Sequence, residues 1–204
     1  MRGKGNGMKI WISVVLNVLI LGFTIFTVAD DAAGKNGKRN FKAFRYYTIL
    51  SNVLGALASA VMLISTALGE IPRWVYVLKF TSAVSLSVTL VTVCVFLAPR
   101  AGFGVMFSGR NLYLHAAGPV MAWTAFCLFE KGTRLSGAMW MYGVLPTLLY
   151  GLIYAYMVLI RTEDRGGWPD FYGFNRGVRW YVSFAAMIAG CVLLCLLTAF
   201  VYNG

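Results

Sequence analysis

The sequence predicts an all-α fold, a single domain over residues 1–204 built as a bundle of six transmembrane helices. Three observations predict it. The chain is 59% hydrophobic and only 12% charged, with a mean hydropathy of +0.72, whereas a soluble domain is about half apolar and about a quarter charged. A globule of this size leaves much of its surface in water and cannot hide that excess. The apolar residues also gather into six runs, each near the ~20 residues that a hydrocarbon core requires. Finally, the net charge of +11, from 18 Lys+Arg against 7 Asp+Glu, falls almost entirely between those runs. That is the loop pattern of a polytopic membrane protein, and it argues against a soluble enzyme, a disordered tail or a nucleic-acid partner.

The runs lie at about 10–28, 46–68, 74–97, 112–129, 139–160 and 180–202. None alternates apolar and polar residues as a barrel strand must, and lipid offers no partner for free backbone groups, so each reads as a continuous helix. The first run follows Arg2, Lys4 and Lys9 and precedes Ala29, Ala32 and Ala33, the flanks of a signal peptide. Its full-span length and the acidic Asp30-Asp31 favour an uncleaved helix instead. The second run carries Thr48, Ser51, Asn52, Gly55 and Ser59 at i, i+3, i+4, i+7 and i+11, one polar and small stripe on an otherwise aliphatic helix. Such a stripe faces other helices, and helix packing alone would account for it.

The third run holds Lys79 about one turn inside, where a lysine is expected to snorkel to the interface. The alternative makes it a partner for a lipid headgroup or a carboxylate. In the fourth, Pro119 lies four residues after His115 and cannot donate to its carbonyl, so a kink is expected there. Cys94, Cys127, Cys191 and Cys195 all fall inside runs and read as buried thiols rather than a disulfide framework. Connections 30–45, 98–111 and 161–179 hold eleven of the 18 Lys and Arg, against six at the other end, which points them toward the cytoplasm. The basic N-terminal tail opposes that orientation. The 161–179 connection, with Gly166, Gly167, Pro169 and Gly173 among aromatics, reads as an ordered turn region at the interface.

His115 is the only histidine. A catalytic zinc needs three protein ligands and a bis-histidine haem needs two, so no metal or other cofactor is expected. No acid lies securely inside a run, which disfavours proton-driven transport.

What remains is a hydroxyl and an imidazole. Runs two and four enter from the same side, and Thr48 and His115 lie ~3 Å and ~4.5 Å inside their expected edges. A threonine hydroxyl becomes a nucleophile when a base takes its proton, and imidazole is the suitable base at neutral pH. Asn52 and Ser51, about one turn on, are the candidate oxyanion donors.

The string Phe44-Arg45-Tyr46-Tyr47-Thr48, extended by Ile49-Leu50-Ser51-Asn52, resembles a motif of the androgen-induced-protein family of six-span intramembrane threonine hydrolases, which includes the androgen-dependent TFPI-regulating protein. His115, Pro119 and Trp123 are similar to the second motif of its bacterial branch, and Trp168-Pro169-Asp170-Phe171-Tyr172 loosely resembles the stretch before the last span. The resemblance implies hydrolysis of fatty-acyl esters in a bacterial cell membrane, with Thr48 as nucleophile and His115 as base. Two other functions stay open: a non-catalytic bundle that binds lipid or a partner helix, and a small transporter. A rhomboid-like protease fails, because Ser108-Gly109 follows Met106-Phe107 and lies in a connection only seven residues from His115.

Overall fold

The computed structural model describes residues 3–33, 41–161, 163–174 and 178–204. They form an all-α, multi-pass bundle with six helices long and apolar enough to cross a membrane. These are α1 (Gly3–Ala33), α2 (Tyr47–Ala67), α3 (Arg73–Ala101), α4 (Gly109–Phe129), α5 (Met141–Ile160) and α6 (Trp180–Asn203). Most of the basic first connection, residues 34–40, lies outside the described residues, as do Thr162 and Arg176 of the last connection. The first and third spans are longer than hydropathy suggests. The third continues past Leu97 through a π-turn over Val93–Leu97, in which the Ala98 amide donates to Val93 O just before Pro99, and stops at Gly102 with φ 96°.

Helix α3 is the hub. Its Phe80, Ala83, Val84 and Val88 join Tyr47 of α2, Phe126 of α4, Tyr150 and Tyr154 of α5, and Cys191 and Cys195 of α6 in the main core. The outer faces show Leu149, Leu152, Leu193, Leu197 and Phe200 to the surroundings, as expected where lipid replaces water. Gly143 lets α5 approach its neighbours: an added Cβ would stand 2.7 Å from Cys195 Sγ and 2.9 Å from the Phe80 ring. Gly143→Val is therefore expected to lower the thermal midpoint in detergent by several degrees, because overpacking costs about 1–3 kcal/mol. An unchanged midpoint would mean that the crossing is loose.

Helix α1 is tied on by apolar and polar contacts. Ile20 packs with Leu86 and Ala122, while the Tyr113 hydroxyl of α4 donates to the Ile20 carbonyl (2.9 Å) and pairs with Thr24 Oγ1 (2.8 Å).

Two expectations about ionisable groups are overturned. Lys79 does not snorkel: it is 1% exposed, and its Nζ lies 3.4 Å from Glu130 Oε1 and 2.7 Å from Asn17 Oδ1. The carboxylate alternative is the one the structure takes. Nor is the bundle without a buried acid, since Glu130 is 6% exposed. It follows the last residue of α4 in sequence and so looked like a loop residue, but Ser13 Oγ and Asn17 Nδ2 of α1 both donate to its Oε1, at 3.1 and 2.6 Å.

Candidate active site

The site begins where α2 begins. Tyr46 is extended (φ −93°, ψ 130°) and the helix starts at Tyr47, so Thr48 is its second residue. Early helical amides have no partner within the helix. Tyr47 N–H finds one across the bundle, donating to the Tyr172 hydroxyl at 3.0 Å.

The loop before α6 is folded to deliver that hydroxyl. Asp170 Oδ1 accepts from Tyr154 OH (2.9 Å) and from the Phe174 amide (2.8 Å), while Tyr172 N–H donates to Tyr154 OH (3.0 Å). The Phe171 ring lies tilted against Tyr46, with centroids 4.6 Å apart. The Tyr172 hydroxyl is thereby placed at the start of α2, on the amide next to Thr48 and on the same cavity wall. Burial pushes it up to about 12, against the opposing pull of the Tyr47 amide that donates to it. It is therefore a neutral hydroxyl at physiological pH, able to give and accept one proton.

All five stripe residues are buried, and four of them are occupied in holding helices together. Ser51 Oγ donates to the Thr48 carbonyl at 3.1 Å and meets Thr89 Oγ1 of α3 at 2.8 Å. Asn52 Nδ2 donates to the carbonyls of Thr48 (2.8 Å) and Leu114 (3.1 Å). A Cβ on Gly55 would reach within 2.8 Å of Leu86, and Ser59 Oγ lies 3.5 Å from Lys79 Nζ. As arranged, the protons of Ser51 and Asn52 are spent on carbonyl oxygens.

Thr48 is different. It lies on the wall of a cavity of about 520 Å³ bounded by α2, α3, α5, α6 and the loop before α6. The walls are mainly aliphatic and aromatic, with Thr89, Thr147 and Tyr172 as polar points and Arg100 as the charged residue. Val91, Phe96, Val182 and Leu193 line it and are themselves exposed, so it opens between α3 and α6 on the outer face of the bundle. Arg100 lies over Gly173, where an added Cβ would stand 2.7 Å from its Nη1.

At His115, where Pro119 led to the expectation of a kink, the helix is irregular in another way. Over Tyr113–Ala117 the helix widens into a π-turn, and the Gly118 amide donates to Tyr113 O, one residue further back than in an α-helix. The imidazole Nδ1 lies 2.8 Å from Met106 O. A carbonyl can only accept, so Nδ1 carries the proton in the neutral ring and Nε2 keeps its lone pair.

Helices α2 and α4 are neighbours at this level: Asn52 bridges the backbone of Thr48 to that of Leu114, the residue before His115. Gly118 permits the approach, since a Cβ there would stand 3.1 Å from Asn52 Oδ1. The side chains themselves go to different places. Thr48 stands on the cavity wall with Tyr172. His115 turns to Met106 and is not on the cavity wall, and among the described residues no hydrogen bond joins it to Thr48.

Tyr172 and Arg100 are the neighbours of Thr48 that sequence reasoning did not assign. For Tyr172 a signal existed in Trp168-Pro169-Asp170-Phe171-Tyr172, an aromatic run closed by a tyrosine. Arg100 looked like one more loop cation. The chain matches no family model, no curated protein and no solved structure.

Proposed function

We propose that the protein is an integral-membrane hydrolase of fatty-acyl esters, with Thr48 as nucleophile and His115 as general base. The observation that carries the proposal is the placement of Thr48. Of the stripe residues it alone lines the larger apolar cavity, of about 520 Å³, whereas Ser51 lines a smaller one of about 230 Å³ and meets Thr89 of α3. The motif resemblance at residues 44–52 and 115–123 supports the same pair, and on that resemblance alone we take the membrane to be a bacterial cell membrane.

In the proposed reaction the acyl chain lies in the cavity and its ester carbonyl meets Thr48 Oγ1. Attack forms the Oγ1–C bond while the hydroxyl proton passes to His115 Nε2, the lone pair left by the bond to Met106. This transfer requires the two atoms within hydrogen-bond reach, directly or through one water. Collapse breaks the ester C–O bond, and the alcohol departs with the proton from His115. Water then attacks the acyl-threonine, His115 taking its proton, and the fatty acid leaves as Thr48 regains its hydrogen. Because the donors of Ser51 and Asn52 are engaged, we assign the oxyanion contact to the Tyr172 hydroxyl.

Tyr172→Phe is expected to slow hydrolysis by about 10²-fold through kcat with little change in KM, the size seen when one oxyanion donor is removed. A change confined to KM would give Tyr172 a binding role instead. The hydrolase itself is tested on purified protein in detergent with a chromogenic fatty-acyl ester. Turnover that disappears in Thr48→Ala and in His115→Ala supports it.

A second reading has its own observation. The lack of a Thr48–His115 bond among the described residues suits a non-catalytic bundle that holds a lipid chain in the cavity. That reading requires the parent protein to bind a fatty-acyl probe without cleaving it.

A further inference from the structure

The lining of the cavity beside Thr48 is ordered by depth. Helices α2 and α3 run antiparallel, and Ser51, one turn on from Thr48, meets Thr89 at 2.8 Å. Arg100 comes eleven residues after Thr89 in α3, so it stands outward of Thr48, two residues before the helix stops at Gly102. Val88, on the same wall, lies ~18 Å deeper than Arg100 along the helix. The outer end of the cavity therefore carries a cation, the middle carries hydroxyls, and the interior is aliphatic.

Arg100 is the charged residue on this wall. It is exposed at the cavity mouth and packs over Gly173. Among the described residues it has neither an ion-pair nor a hydrogen-bond partner. A guanidinium is a flat fork of five donors, matched to two oxygens of one phosphate or carboxylate.

We propose that the cavity holds an acyl chain of a phospholipid taken from the surrounding leaflet, and that Arg100 binds the phosphate of its headgroup. This deepens the fatty-acyl reading of the same cavity by naming the lipid class, and it rests on that reading for the place of the chain. The opening favours a membrane-resident ligand. Exposed Val91, Phe96, Val182 and Leu193 rim it between α3 and α6, so a chain enters from hydrocarbon without crossing water. The depth of Arg100 favours phosphate. At the end of a span, the anionic groups that a bilayer presents are those of lipid headgroups, and basic pockets between spans bind them. A phospholipid has the same order as the wall: phosphate outermost, ester linkages next, hydrocarbon within. Gly190 of α6 leaves room for the chain, since a Cβ added there meets nothing within 4 Å.

The test is native mass spectrometry of the full chain in neutral detergent, titrated with dioleoylphosphatidylglycerol, with dioleoylglycerol, which lacks the phosphate, and with oleate. The phospholipid is expected to bind about 10–100-fold more tightly than dioleoylglycerol, and Arg100→Gln should remove that advantage, the size of a charge-assisted contact. Arg100→Lys, which keeps the charge without the fork, should recover part of it. Gly190→Phe fills the cavity from a position with free space and should weaken both diacyl lipids alike. Phospholipid binding unchanged in Arg100→Gln would overturn the proposal, as would binding unchanged in Gly190→Phe, which would put the lipid on the outer surface. Oleate that depends on Arg100 more than the phospholipid does would give the site to a carboxylate and overturn it too. Bound lipid is read by its intact mass, so an absence of ester turnover leaves this result standing. Failure here likewise leaves the turnover tests of Thr48 and His115 untouched.

Discussion

Thr48→Ala is expected to reduce hydrolysis of a fatty-acyl ester by at least about 10³-fold, because loss of a nucleophile removes the covalent route altogether. The variant should remain folded. It deletes one hydroxyl, and a single hydrogen bond is worth about 1 kcal/mol, while the Thr48 carbonyl keeps its bonds from Ser51 and Asn52. Thr48→Ser replaces the secondary hydroxyl by a primary one at the same place and should recover part of the rate. A Thr48→Ala protein that is intact by thermal melting and still cleaves the ester would remove Thr48 from the chemistry.

Replacing Lys79 alone by Met is expected to be among the most damaging single changes in the chain, costing about 3–5 kcal/mol, because it strands a buried carboxylate. Glu130→Gln should be comparably severe for the stranded ammonium. Restoring neutrality in Lys79→Met/Glu130→Gln should return much of that loss, since a buried pair is often matched by apolar or neutral residues of similar volume. A double-mutant cycle by thermal or denaturant melting measures this coupling. Coupling near zero would show that the charges do not sense one another, in conflict with their 3.4 Å separation.

These two centres were unequally legible in the sequence. Six helices could be read directly, because the hydrophobic demand of a bilayer acts on composition over ~20-residue windows and needs no tertiary information. An irregularity around His115 was also accessible, since the missing N–H of Pro119 is a local fact, but it was expected as a kink and takes the form of a π-turn. The Lys79–Glu130 pair was not. One member looked like a snorkelling lysine and the other like a loop acid, and only the docking of α1, α3 and α4 makes them partners. Tyr172 was hidden for the same reason: it reaches α2 from 125 residues away, through a loop shaped by Asp170 and Tyr154.

The polar stripe on α2 illustrates what spacing can decide. Its helical period correctly places five residues on one buried face. It does not distinguish Ser51, Asn52, Gly55 and Ser59, which meet neighbouring helices, from Thr48, which borders the cavity. Position on the helix gives the reason. Thr48 stands at the first turn, where α2 has just left the connection and the loop before α6 folds over it.

The most direct measurement is the site of covalent capture. Purified protein treated with a long-chain fluorophosphonate, digested and sequenced by mass spectrometry, should carry the adduct on Thr48 and lose it in Thr48→Ala. An adduct on another residue, or ester turnover by a protein whose Thr48 stays unmodified while the probe inhibits it, would contradict the threonine mechanism.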